Sequence, residues 1–346
     1  MLFDSVKAVS PVLTTVLLLL MVLGAAGGYT LYVTLMQGRI INQYEENVVY
    51  PVNPPQTMGI ICYPGYGFLD VMNTSAGGIV GTVDYFVKSG DVVLSGQRTV
   101  NISNYGRIYF PIRGGVNTKV NFELYTPDWK ITDYCTVRED KNLRLYLPFD
   151  EGAGTVTKDK SKYNGDVTVY EAEWDVGKSG HSLDFDGIDD YVEVSNSADL
   201  NLTDAISVLV WVKPTANDGA YQAFVSKDYA ETWAILQYSN QDRFRAYLVT
   251  DAGSQSQEMA AFTAGNWYHV GFTYDQSSGE LKLYVNGTQY GSTISTSGFI
   301  QTNSQTVGIA RDGDSGYPAD ADIDEVRIYD EALPADAIYA IYEAYK

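Results

Sequence analysis

Carboxylates are the residue type in this chain best placed to do chemistry. Between Arg311 and Glu325 stand Asp312, Asp314, Asp320, Asp322, Asp324 and Glu325, with Arg311 the one positive charge. Crowded carboxylates repel one another unless a cation or an arginine neutralises them, and hard oxygen donors suit calcium. The spacing is not that of an EF-hand loop, so the competing reading is a solvated acidic loop with Asp324 bonded to backbone. The run Asp322-Ile323-Asp324-Glu325 sets carboxylates close together, the residue type that acid–base cleavage of a glycosidic bond uses in pairs. It lacks the two glutamates alternating about an aspartate on one strand. No nucleophile–base set, glycine-rich phosphate loop or paired metal motif occurs elsewhere, so no enzymatic activity is expected.

Other chemistry-bearing residues are sparse. His181 and His269 are far apart and lack zinc-site spacing, so both read as structural or surface residues. Cys62 and Cys135 also lack that spacing, and an export signal at the N-terminus favours a disulfide between them. Closing a loop of about 70 residues is worth about 4 kcal/mol in the chain-entropy treatment. Trp211, Trp267 and Phe272 fall in regular alternating runs and read as core. Trp233 and Tyr238 lie in a less regular stretch and are the glycan-binding candidates. Four sequons, at Asn73, Asn101, Asn201 and Asn286, are candidate glycosylation sites on an exported chain. Asn286 doubles as a turn residue.

The elements that must position these residues are mainly strands. The 346 residues are 45% apolar and 19% charged, which excludes a disordered chain. With 32 glycines and 28 tyrosines, the bulk reads as strands and turns. A formal net charge of −20 repels phosphate backbones, so nucleic acid is excluded as a partner.

The N-terminus differs in kind. From Ala8 to Gly38 there is no charged residue, and the stretch is apolar on every face. As a helix it is roughly 46 Å long against a hydrocarbon core of ~30 Å. Such a helix must be buried in lipid or among copies of itself. Gly24 and Gly28, four apart, are candidate helix-packing residues because small side chains let backbones approach. Pro51, Pro54 and Pro55 then end any helix.

Lys7-Ala8 followed by Val9-Ser10-Pro11-Val12 and the long apolar run resembles the class III signal of archaeal type IV pilins. The resemblance implies processing between Ala8 and Val9, behind the basic Lys7. It also implies self-assembly through the N-terminal helices into a filament, after residence in the cell membrane. Leu13 stands where bacterial pilins carry a glutamate. Two alternatives remain: an uncleaved membrane anchor, and a secreted form cut at Gly24-Ala25-Ala26. The domains expected are a leader (1–8), a hydrophobic helix (9–47), a Pro-rich linker (48–56) and two β-sandwiches (57–140 and 141–346).

Residues 57–140 show short alternating runs, such as Gly81-Thr-Val-Asp-Tyr-Phe-Val87 and Lys119-Val-Asn-Phe-Glu-Leu-Tyr125, broken by turn residues. That pattern argues for an antiparallel sandwich, read as immunoglobulin-like by analogy with pilin heads. From Leu143 onward a second resemblance is carried by several blocks in order. They are Leu145-Tyr-Leu-Pro-Phe-Asp-Glu-Gly152, Gly177 to Val194, Ser207 to Pro214, Trp267 to Tyr274, Leu281 to Gly287 and Asp322 to Tyr329. This region resembles laminin-G-like, concanavalin A-like antiparallel sandwiches, with Asn286-Gly287 closing a hairpin. Many such domains hold a structural calcium, and the resemblance implies Asp150, Asp186 and Asp324 as its ligands. The expectation is thus a mainly β protein of the extracellular cell surface. It would be a subunit of a pilus-like filament displaying a domain for adhesion to glycans or proteins, or alternatively a non-polymerising, membrane-anchored lectin.

Overall fold

A computed structural model describes residues 56–346 apart from 73–78, 103–104, 127–128, 216–219, 239–240 and 314–315. Lys7, Ala8, Val9, Gly24 and Gly28, the 9–47 helix and nearly all of the linker lie outside the described residues, as do Asn73 and Asp314. Among the described residues no helix is long and apolar enough to cross a membrane.

The small module has seven strands: β1 (Gln56–Tyr63), β2 (Gly65–Met72), β3 (Ile79–Ser89), β4 (Val92–Ile102), β5 (Tyr105–Ile112), β6 (Lys119–Tyr125) and β7 (Lys130–Thr136). The sequence Lys119-Val-Asn-Phe-Glu-Leu-Tyr125 shows why: Val120, Phe122 and Leu124 are buried while Lys119 and Asn121 face water. Sheet β1-β2-β5 packs on sheet β4-β3-β6-β7, and Phe110 stacks on Phe122 with centroids 4.7 Å apart. The two antiparallel sheets depart in one respect from the constant-type immunoglobulin arrangement. In a constant-type immunoglobulin domain the fourth strand continues the first sheet; here β4 pairs with β3 instead. Cys62 and Cys135 form the expected disulfide, with a Cα–Cα separation of 6.1 Å, and so tie β1 to β7 across the two sheets.

The large module begins with β8 (Leu143–Leu147), β9 (Val156–Lys158), β10 (Asp166–Tyr170), β11 (Glu173–Val176), β12 (His181–Asp186) and β13 (Tyr191–Val194). It continues through β14 (Ala205–Pro214), β15 (Gln222–Ser226), β16 (Trp233–Gln237), β17 (Arg243–Thr250), β18 (Gly253–Ala261) and β19 (Tyr268–Asp275). Then come β20 (Glu280–Val285), β21 (Thr288–Ser295), β22 (Val307–Ile309), β23 (Asp320–Tyr329) and the helix α1 (Ala335–Tyr345). One sheet runs β18-β17-β16-β15-β22-β13-β10-β9 and the other β11-β12-β23-β14-β19-β20-β21, with β8 also on β23. Between them lies the apolar core, including Phe185, Val208, Val210, Phe224, Ile235, Phe244, Phe272 and Ile323. The expected Asn286-Gly287 turn is present, both residues having positive φ, 49° and 74°.

Residues 54–126 and 130–346 form one compact unit rather than two independent beads. The cause is the outer face of the second sheet, which carries Leu209, Tyr284 and Tyr329. Apolar residues on that face need cover, and α1 supplies it. Ala337, Ile338, Ala340 and Ile341 pack there together with Tyr66, Phe68 and Tyr109 of the small module. Burial of this order holds two modules together far more firmly than the polar contacts of a flexible tandem.

Candidate functional site

Two places bring polar and aromatic side chains together. The first is the point where β23 changes neighbours. Its first half pairs with β12, up to Ile323 opposite Leu183. Its second half pairs with β8, from Val326 opposite Leu147. Asp324 and Glu325 occupy the gap. Opposite them β14 registers Trp211 with Asp324 but Leu209 with Arg327, a β-bulge. Glu325 takes the bulged position with φ of 56°, a left-handed conformation uncommon for a side chain of its size. Phe149, buried just before Asp150, is also left-handed, with φ of 51°. Local strain of this kind is held where surrounding structure enforces it, and it concentrates at sites.

Loop 177–181 wraps the two aspartates. Ser179 N donates to Asp324 Oδ2 at 3.0 Å, and His181 N points at Asp150 Oδ1 at 3.4 Å. Gly177 is packed so closely that a Cβ would stand 2.8 Å from Asp324 Oδ2. Asp324 is fully buried, and its Oδ1 has no hydrogen-bond partner among the described residues. Burial pushes the Asp324 carboxyl well above the usual carboxylate range, and the neighbouring Glu325 and Asp150 push it further. Burial likewise raises Asp150, and raises Glu325 to about 7 against the pull of Arg327. Glu325 accepts from Tyr146 Oη at 3.0 Å and pairs with buried Arg327 at 2.8 Å. A cleft of about 540 Å³ opens above, lined among others by Arg113, Tyr146, Asp150, Ser179, Glu325 and Tyr345.

Of the three sequence-derived metal ligands, the structure therefore joins Asp150 and Asp324 and leaves Asp186 apart. Asp186 ends β12, about 16 Å along the strand from His181. There it sits with Asp189 and Asp190, their carboxylate oxygens within 4.8 Å of one another. The acidic run 311–325 is likewise dispersed: Asp312 accepts from Ser226 and Tyr229, while Asp322 pairs with Lys213 at 2.8 Å. A hard cation fits the Asp150–Asp324 pair. It would give Asp324 Oδ1 the partner it lacks and offset the burial that raises both carboxyls, together with the repulsion from Glu325 and Asp150 felt by Asp324.

The second place is the outer face of the sheet that contains β15, β16 and β17. Alternation on β16 sends Trp233 and Ile235 into the core and Ala234 and Leu236 outward. Over Ala223, Ala234 and Leu236 lie the half-buried tyrosines 229, 238, 247 and 317. Tyr221 joins them, its ring 4.7 Å from Tyr238 and 5.5 Å from Tyr317. Tyr229 then meets Tyr317 at 5.2 Å and Tyr247 at 5.5 Å. Tyr317 has φ of 51°, an outlier for an aromatic residue. Arg245 lies over Tyr238, its Cζ 4.0 Å from the centroid. Asp228, Glu231 and Asn303 supply a hydrogen-bonded polar group beside Tyr229. Farther across the same face, Tyr170 stacks on Tyr191 at 4.4 Å beneath Arg311.

These placements correct one expectation. Trp233 is 2% exposed and belongs to the core between the sheets. The irregular sequence around it marks the loops on either side of a short strand, and the strand itself turns the indole inward. Tyr238 is where a ligand could reach it. Tyr221, Tyr229, Tyr247, Tyr317 and Arg245 were not singled out from sequence; the abundance of tyrosine was the available signal. Among the sequons, Asn101 is exposed on β4. Asn201 Oδ1 is buried and has no hydrogen-bond partner among the described residues. Asn286 Oδ1 accepts from His269 N at 3.0 Å, so its amide is occupied by the turn.

Residues 186–339 match the Concanavalin A-like lectin/glucanases superfamily. No curated protein matches the chain. Among solved structures, it is similar to the binding domain of Paraclostridial Mosquitocidal Protein 1. That pair shares 16% identity at a TM-score of 0.49, covering 58% of this chain and 52% of that one. The Botulinum Neurotoxin serotype G binding domain shows 15% identity at 0.47, covering 58% and 50%. The chain spans about half the length of these structures.

Proposed function

We propose that this concanavalin A-like sandwich is the glycan-binding head of a cell-surface adhesin. The observation that carries the reading is the set of five tyrosines gathered over the apolar floor of Ala223, Ala234 and Leu236 on one sheet face. A tyrosine ring offers a flat apolar surface to the C–H face of a sugar and a hydroxyl to its rim. Arg245, Asp228, Glu231 and Asn303 stand where hydroxyls of such a ligand need partners. The reading is of binding without turnover. The charge-free sequence of residues 8–38 supports display from a cell surface, in a pilus-like filament through N-terminal helices or from a membrane anchor. The N-terminal residue of protein sheared from cells separates these: Val9 in filaments, or Met1 in membranes.

Asp150 and Asp324 would hold calcium with loop 177–181. The ion would supply charge neutralisation that locks the junction of β8, β12 and β23. The test of the main reading is a glycan array probed with the full chain, alongside Tyr238→Ala and Tyr317→Ala. Binding that both variants lose at unchanged thermal stability supports it. An absence of binding, retention by both variants, or hydrolysis of the bound glycan would overturn it.

A further inference from the structure

The carboxylate group at the neighbour switch of β23 is faced by a cation from the other module. Arg113 follows β5 directly and lines the same cleft as Asp150, Ser179 and Glu325. Its Cζ lies 5.1 Å from the ring centroid of Tyr345. Tyr345 Oη is 3.3 Å from Tyr146 Oη, which in turn donates to Glu325. Among the described residues, buried Arg113 Nε has no hydrogen-bond partner, and the guanidinium packs on the tyrosine ring. Other cations lie near: Lys160 and Lys162 line the same cleft, and Arg327 pairs with Glu325 from beneath. Lys178 Nζ sits over the Trp211 ring at 4.7 Å, and Arg327 is taken up by Glu325 and the Tyr345 hydroxyl.

We propose that Arg113 is a built-in counter-ion of the Asp150–Asp324–Glu325 group, so that the small module weakens calcium binding by the large one. Two positive centres facing one set of carboxylates must oppose each other, and in a half-buried cleft water screens that opposition only partly. By reciprocity, calcium loading weakens the hold of the guanidinium on the cleft. Cation occupancy and the seating of the segment after β5 are thereby linked across the module boundary. This inference rests on the calcium reading above, and the experiment separates the two.

Calcium is titrated calorimetrically into the metal-free full chain and into Arg113→Gln, Arg113→Met, Arg113→Lys and Asp324→Asn. The neutral variants should bind calcium about tenfold more tightly than the parent, as removal of one partly screened like charge requires. The charge-retaining Arg113→Lys should stay near the parent, and Asp324→Asn should lose binding. Calcium binding of equal affinity in the parent and both neutral variants overturns the Arg113 role and leaves the calcium site standing. Arg113→Lys binding as tightly as Arg113→Gln overturns a role through charge. No calcium binding by any protein overturns the calcium reading itself. Two neutral replacements of different polarity keep the test decisive if one of them folds poorly.

Discussion

The hydroxyl of Tyr85, on β3 of the small module, donates to Glu343 Oε2 on α1 at 2.7 Å, with both side chains buried. The contact joins residues that lie in different predicted domains. It is seconded by Arg98, which reaches the Asp336 carbonyl at 2.7 Å and lies over the Tyr339 ring. The terminal helix is therefore shared core, and the two modules should unfold in one transition. Replacing Ile338 by Ala, a cavity beneath the helix, should cost about 3 kcal/mol. Calorimetry should show both modules shifting together; two separate transitions with only one displaced would refute the shared core.

The disulfide closes a separation of 73 residues and links the two sheets of the small module. Its removal in a Cys62→Ala/Cys135→Ala variant should cost about 4 kcal/mol through chain entropy. Because the core is shared, the whole unit should lose stability. Denaturant unfolding with and without reductant measures this directly.

Trp233 and Tyr317 should separate stability from binding. Trp233→Ala empties a fully enclosed core position and should lower stability by about 3–5 kcal/mol. Tyr317→Ala removes a half-exposed ring and should leave the melting temperature within a few degrees while abolishing retention on the glycan. A Trp233 variant of normal stability would mean the indole does not face the core.

His269 is buried beside Trp211, at a centroid distance of 5.3 Å. Burial, aided by the charge of Arg327, lowers its pKa from 6.5 to about 3. A depressed folded-state pKa means the stabilising contribution is complete above pH 6.5 and is lost as pH falls towards 3. Glu325 acts in the opposite sense: its pKa is raised from 4.5 to about 7, so its contribution is present below 4.5 and is lost as pH rises through 7. The difference in stability between the parent and His269→Gln isolates the histidine. It should narrow steadily from pH 6.5 to 4; a difference independent of pH would show that His269 titrates normally.

Asp324→Asn should change stability in opposite directions with and without calcium. In metal-free buffer it removes a buried like charge and should raise the melting temperature. With calcium present the parent should gain stability and the variant should not. A chelator that leaves the parent's melting temperature unchanged would remove the ion from the account.

Sequence alone determined the strands, their inward faces and the module order. A period of two, as in Leu281, Leu283 and Val285, states which side is apolar, and Asn286-Gly287 states where a hairpin turns. It also brought the disulfide within reach, because only two cysteines exist. Asp150 and Asp324 were named through a family resemblance, and the structure set them against one loop. What tertiary structure alone decided is which residues meet across long chain separations. The gap between β12 and β8 on β23 aims Asp324 and Glu325 at Asp150, while Asp186, in an equally recognisable motif, ends at the far end of its strand. The tyrosine face draws on β17 and on loops before β15, before β16, after β16 and before β23. Trp233 and Tyr238 look alike in sequence, yet alternation sends one indole inward while the tyrosine beyond the strand end joins the outer face. The physical reason is common to all three cases. Local pattern encodes the orientation of a side chain relative to its own strand, whereas a site depends on which strands become neighbours, and that is settled by burial of the whole sheet face.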